Sequence, residues 1–292
     1  MNNNINSRTI RTRRMETHFL HSGEGERVLL LHGWPEWSHV WRRVINRLSD
    51  RFELFAPDFR GFGASQKFGS GPSAEAGPDV LAADILDLAD ALNIERFGLV
   101  SHDVGAYVAQ VIAQKAPGRL SGLFFFNVPY PGIGSRWLAP SHVLETWYQA
   151  FHQMPWAAQL VGASRDTCRT YFGAFLRHWA CDEHTFDAEL ETWVDNFMIP
   201  GNIQGGFNWY LSAHQVRMAA IEGRTPPAPP IQVPTRVFWG AEDPIVKAEW
   251  ADRLPEFFTN VRATVAPGAG HFVHYEKPDA ASFEIAEFFA SL

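Results

Sequence analysis

Phe97-Gly98-Leu99-Val100-Ser101-His102-Asp103-Val104-Gly105-Ala106 is the stretch that decides how this chain folds. An apolar, β-favouring run stops at a small residue, and a helical pattern begins two residues after Asp103. The aspartate therefore falls on a sharp strand-to-helix turn. The backbone of such a turn is crowded, so the residues two before and two after must be small, and here they are Ser101 and Gly105. A carboxylate displayed there can attack carbon and become an ester. The alternative is an ordinary helix N-cap, for which aspartate is also favoured.

On either side of this turn, strands and helices alternate. Residues 17–21, 28–31 and 52–56 read as strands, residues 37–48 and 80–92 carry helical spacing, and residues 69–78 form a Gly, Ser and Pro rich loop. After the turn come a helix at 107–116 and an apolar strand at 122–128. This alternation predicts a mostly parallel sheet covered on both faces, which binds ligands beyond the carboxyl ends of its strands. Residues 129–224 then show helical spacing and many aromatics but no strand, and Pro226-Pro227-Ala228-Pro229-Pro230 closes them with a stiff linker. Strands resume at 235–240 and 262–265, with helices at 247–257 and 278–292. The expected domains are a core of 16–130 and 231–292 with a helical cap, 131–230, inserted between.

Composition narrows the function. The 292 residues suffice for one elaborated domain, and 25 Lys plus Arg against 32 Asp plus Glu give a net charge of −7, which argues against nucleic-acid binding. Eleven Trp and 23 Phe fit both a bulky core and an aromatic-lined pocket. Cys168 and Cys181 form neither a disulfide framework nor a metal motif, and no membrane span or signal core is present. A soluble, cytoplasmic protein is expected, either monomer or homodimer. Residues 1–15, with Arg8, Arg11, Arg13 and Arg14, are expected to be a disordered basic tail.

Two later strand ends carry reactive residues: Asp243 in Gly240-Ala241-Glu242-Asp243-Pro244 and His271 in Gly268-Ala269-Gly270-His271-Phe272. Nucleophile, acid and histidine in that chain order match the triad of an α/β-hydrolase. The position after the preceding strand, Phe126-Asn127-Val128, has no carboxylate, so Asp243 is taken as the acid. Glu36 and Asp58 are assigned to loop capping or ion pairing, and His102 and His274 to structure.

From about Met15 onward the chain resembles the aspartate-nucleophile branch of the α/β-hydrolase family, which contains epoxide hydrolases and dehalogenases. The triad, His32-Gly33-Trp34-Pro35 and Asp58-Phe59-Arg60-Gly61-Phe62-Gly63-Ala64-Ser65 carry that resemblance. It implies the α/β-hydrolase fold with a cap after the sixth strand, an oxyanion hole from the Trp34 and Val104 amides, and a cis bond before Pro35.

The cap segments around Tyr148 and Gly205-Gly206-Phe207-Asn208-Trp209-Tyr210 resemble those carrying the paired lid tyrosines of epoxide hydrolases. Haloalkane dehalogenases typically follow the nucleophile with Trp, and fluoroacetate dehalogenases place arginines directly after it and one turn later. This chain has Val104 and Tyr107 there. Trp34, Trp147 and Trp209 are candidate substrate contacts, and Trp34 could hold a halide. The expectation is a cofactor-free and metal-free hydrolase that takes a small apolar epoxide and water, with dehalogenation as the alternative and a non-catalytic binding protein as a third reading.

Overall fold

The protein is described by a computed structural model covering residues 5–69, 71–224 and 228–292. Residues 1–4 of the expected tail, Ser70 of the expected loop, and Pro226 and Pro227 of the expected linker lie outside these described residues.

Strands β1 (Asn6–Arg11), β2 (Glu16–Ser22), β3 (Glu26–Leu31), β4 (Phe52–Pro57), β5 (Phe97–His102), β6 (Leu120–Phe126), β7 (Thr235–Gly240) and β8 (Val261–Ala266) form one sheet. Their order is β1-β2-β4-β3-β5-β6-β7-β8, and every pairing from β4 to β8 is parallel. Central strands buried on both faces must be apolar throughout, as Val28 to Leu31 and Leu123 to Phe126 are. The helices are α1 (Arg42–Leu48), α2 (Pro78–Ala91), α3 (Val104–Lys115), α4 (Trp147–Phe151), α5 (Ala157–Val161), α6 (Arg165–Trp179), α7 (Leu190–Met198), α8 (Asn202–Ile221), α9 (Leu254–Phe257), α10 (Val273–Glu276) and α11 (Pro278–Ala290).

The basic segment expected to be disordered is instead largely ordered. Residues 6–11 pair antiparallel with β2, Asn6 opposite His21 through Arg11 opposite Glu16, and form an edge strand. Arg13 and Arg14 then clamp onto Asp87 and Asp84 of α2 at 2.6 Å each. A polar, arginine-rich edge strand has no apolar face to betray it in sequence, and its charges discourage pairing with another chain. β6 also ends two residues early, because Asn127 takes a positive φ of 43° and breaks the ladder. Similarly, the helix expected at 247–257 is a 3-10 turn, Ala248–Arg253, followed by the short α9.

Between β6 and β7 the described residues are helical, and this layer is tied to the loops at the sheet's carboxyl edge. Trp193 Nε1 donates to the Pro35 carbonyl at 2.9 Å, Asn202 Nδ2 to Gly63 at 3.1 Å, and the His271 amide to Trp179 at 2.8 Å. At the seam α8 rests directly on the Gly61 loop: a Cβ on Gly205 would stand 2.0 Å from the Gly61 carbonyl oxygen. Backbone cannot yield as a flexible side chain does. Gly205→Val is expected to cost about 1–3 kcal/mol of stability, read as a lowered urea midpoint.

Candidate active site

The strand-to-helix turn is strained as the sequence demands. Asp103 has φ 46° and ψ −111°, an uncommon conformation for a residue with a side chain. The glycines around it leave no room for anything larger. A Cβ on Gly105 would stand 2.5 Å from the Leu31 carbonyl oxygen, and one on Gly33 would stand 2.7 Å from Asp103 Cβ. This close approach fixes the Asp103 carboxylate against the loop after β3.

The two carboxylate oxygens have different surroundings. Oδ1 accepts the Trp34 amide at 3.0 Å, and Oδ2 stands 3.9 Å from His271 Nε2. Val104 opens α3, so its amide is one of the helix's first N–H groups, which have no partner within the helix. The Trp34–Pro35 bond is cis. Asp103 keeps 18% of its side chain accessible, whereas the His271 and Asp243 side chains are fully buried. Only the nucleophile candidate is reachable directly.

His271 is held by both ends. Its Nδ1 meets Asp243 Oδ2 at 2.9 Å, while Nε2 is buried with no hydrogen-bond partner. Asp243 Oδ1 accepts the Ile245 and Val246 amides at 2.8 and 3.0 Å, and Oδ2 also accepts Asn127 Nδ2 at 2.5 Å. A carboxylate with four donors cannot rotate away, so the proton on Nδ1 is fixed and Nε2 is left free. Burial alone lowers the imidazole's pKa, but the Asp243 carboxylate and then Asp103 outweigh it and raise it to about 9. Burial likewise acts to raise Asp243, yet His271 and Asn127 hold it below the usual carboxylate range.

The helical layer between β6 and β7 brings two phenols onto the Trp34 ring. Tyr148 stacks on Trp34 at 5.5 Å between ring centroids, Tyr210 meets Trp34 edge-on at 5.7 Å, and the two tyrosine rings are 5.6 Å apart. Burial raises both phenols above their ordinary value, with the Asp103 charge adding to each and Tyr148 adding to Tyr210, so both remain protonated donors.

Trp147 does not join them. It is 51% exposed and packs on Phe151, Tyr171 and Phe175, because adjacent residues on α4 point about 100° apart and Tyr148 takes the inward direction. Trp209 is buried against Tyr107, one turn after Asp103.

Sequence reasoning passed over several residues at the site. Asn127, noted only for lacking a carboxylate, bridges Asp243 and the Gly240 amide at 2.5 and 3.2 Å. His152 is buried, stacks on Phe207 at 3.9 Å, bonds to the Tyr171 hydroxyl at 2.7 Å and lies 4.5 Å from the Tyr210 ring. Glu36, His102 and His274 converge in space although their spacing in sequence suggested no cluster, with candidate ligand atoms all within 4.8 Å of one another.

That carboxylate is already committed: Glu36 Oε2 accepts the Gly33 amide at 2.7 Å and faces His102 Nδ1 at 2.9 Å, and Oε1 faces His274 Nε2 at 3.1 Å. His102 Nε2 reaches the His271 carbonyl at 2.9 Å, so this cluster links the Trp34 loop to the His271 loop from below. Asp58, also buried, accepts the Ser38 and Ala64 amides at 2.7 and 2.8 Å and ties down its own loop.

A family profile described as the alpha/beta hydrolase fold matches residues 26–278. The chain belongs to this family. Among its relatives in the alpha/beta hydrolase family, the soluble epoxide hydrolase of Corynebacterium sp. (strain C12) is 28% identical over 285 residues, covering 94% of each chain. The fluoroacetate dehalogenase of Burkholderia sp. is 28% identical over 277 residues, covering 91% of this chain and 88% of that one. The solved structure of the epoxide hydrolase CorEH without ligand superposes with a TM-score of 0.84 at 24% identity, covering 99% of both chains, a likeness of fold. No helix among the described residues is long and apolar enough to cross a membrane.

Proposed function

We propose that this alpha/beta hydrolase is an epoxide hydrolase that converts an epoxide to a vicinal diol through an ester on Asp103. The observation that carries this reading is the pair of protonated phenols, Tyr148 and Tyr210, packed on Trp34 in the field of the Asp103 charge. Epoxide opening leaves an alkoxide and needs a proton donor, and two phenols supply it. Asp103 Oδ2, the oxygen not engaged by Trp34, attacks an epoxide carbon as the carbon–oxygen bond breaks. The departing oxygen takes its proton from one tyrosine.

The ester is then cleaved by water. His271 Nε2 has no partner and stands 3.9 Å from Oδ2, a separation that leaves room for a water at the ester. Nε2 removes the water's proton as it attacks the Asp103 carbonyl carbon. Charge gathers on Oδ1, where the Trp34 amide already donates and the Val104 amide is placed to join it. Asp243 stabilises the imidazolium that forms. Breaking the acyl–oxygen bond passes the intermediate's hydroxyl proton to the departing oxygen, which releases the diol and restores the carboxylate, and the imidazolium's proton returns the tyrosinate to the phenol.

Tyr148→Phe and Tyr210→Phe are each expected to lower kcat/KM for a styrene oxide-like substrate by about 10–100-fold, and the double variant by about 10³-fold or more. Diol formation assayed by chromatography checks this. A second reading, carbon–halogen hydrolysis by the same triad, is favoured by the Trp34 indole N–H, which is buried without a partner and could hold a departing halide. Running halide release from haloalkanes and haloacids beside diol formation separates the two. The tyrosine variants sharpen the comparison, because dehalogenation has no alkoxide to protonate and should survive them.

A further inference from the structure

The cap contains a cation that this chemistry leaves unused. Arg217 lies seven residues after Tyr210 on α8, which places it on the same helix face about 10 Å further along. Its guanidinium carbon is 5.3 Å from the centroid of the Trp137 ring, and its Nε and Nη2 are buried with no hydrogen-bond partner. No carboxylate among the described residues pairs with it, and none of the residues outside that set is acidic.

Stacking on an indole face attracts the charge but leaves the in-plane N–H groups unsatisfied. A guanidinium that is partly buried with two empty donors is costly unless something occupies them. His142 repeats the pattern on the same tryptophan. It is 1% exposed, its ring centroid is 5.8 Å from that of Trp137, and neither of its nitrogens has a partner.

Both groups are electrostatically coupled to the reactive site, His142 through Asp243. Tyr107, one turn after Asp103, is raised by burial and by Asp103 and opposed by Arg217. Tyr148 feels Asp103 and Arg217 together. The planar fork of arginine matches a carboxylate, and a neutral imidazole can add one more donor to it. Lys247 adds a positive charge near His142 and Glu145 opposes it, so the net charge left for a ligand is about that of Arg217 alone, which suits a carboxylate better than a phosphate dianion.

We propose that Arg217 and His142 form an anion subsite in the cap and that the preferred substrate is an epoxide bearing a carboxylate, gripped by Arg217 while its ring lies against Asp103. The spacing along α8 calls for several methylenes between the two groups. The epoxide part of this proposal rests on the function proposed above, whereas the anion subsite can be tested without it.

The test compares ω-epoxyhexanoate with its primary amide on the wild type, Arg217→Gln and Arg217→Lys, and measures binding of plain hexanoate by calorimetry. The wild type should prefer the acid by about 10–100-fold in kcat/KM. Arg217→Gln should erase that preference through KM, leave the amide within about threefold and abolish hexanoate binding, and Arg217→Lys should keep part of both. Equal turnover of acid and amide by the wild type, or an equal loss on both substrates in Arg217→Gln, would overturn the proposal. If no epoxide is turned over, the epoxide reading fails and hexanoate decides the subsite alone. Binding lost in Arg217→Gln then supports it, and absence of binding to the wild type refutes it.

Discussion

Asp103→Ala should abolish diol formation, lowering kcat/KM by about 10⁴-fold or more, because both half-reactions of the proposed mechanism run through this carboxylate. No neighbour can substitute. The other carboxylates near the turn, Glu36, Asp58 and Asp243, are fully buried and committed to amides and imidazoles. Folding should survive the change, since Asp103 makes no side-chain cap bond to α3 and loses only the Trp34 amide as a partner. A variant that is folded by circular dichroism yet inert is therefore the expected outcome, and one that retains turnover would place the nucleophile elsewhere.

His271→Gln should separate the two half-reactions. Attack by Asp103 Oδ2 needs no base, so the ester still forms, while hydrolysis should slow by about 10²–10⁴-fold. One equivalent of epoxide would be consumed in a burst, and the Asp103 peptide would carry the substrate's mass.

The wild type adds a matching pH test. In the proposed mechanism hydrolysis requires neutral His271, whose pKa in the unreacted site is raised to about 9, with the Asp103 charge contributing to that elevation. Ester formation removes the charge, so the working value falls below about 9. Decay of the ester should thus speed up as pH rises and level off below that point, as rapid-quench measurements would record. A rate that fell with rising pH would mean that the protonated ring is the active form.

What could be read from the sequence follows the range of the forces involved. The turns that carry Asp103, Asp243 and His271 are legible because each follows a short strand into small residues, a pattern written within about ten residues. The parallel order of the sheet is legible for the same reason. Trp147 was misread because two neighbouring aromatics on a helix cannot both face inward, and which one does depends on where Phe175 and Trp34 stand. Asn127 looked like a missing carboxylate, yet its amide spans Asp243 and Gly240 from another strand end.

The edge strand β1 was hidden by its polar, arginine-bearing sequence, and Arg13 and Arg14 just beyond it meet their partners on α2 some 70 residues away. Arg217 is the extreme case. In sequence it is one more basic residue on a cap helix, and only the packing of α8 shows that its donors are buried and empty.

The central claim is that an ester on Asp103 precedes the diol, and the fate of oxygen in a single turnover tests it most directly. With enzyme in excess of a styrene oxide-like substrate in heavy-oxygen water, the ester route delivers an Asp103 oxygen to the diol and a water oxygen to the carboxylate. The account predicts an unlabelled diol and a labelled Asp103 peptide. A labelled diol with an unlabelled Asp103 would mean that water attacks the epoxide directly and would contradict it.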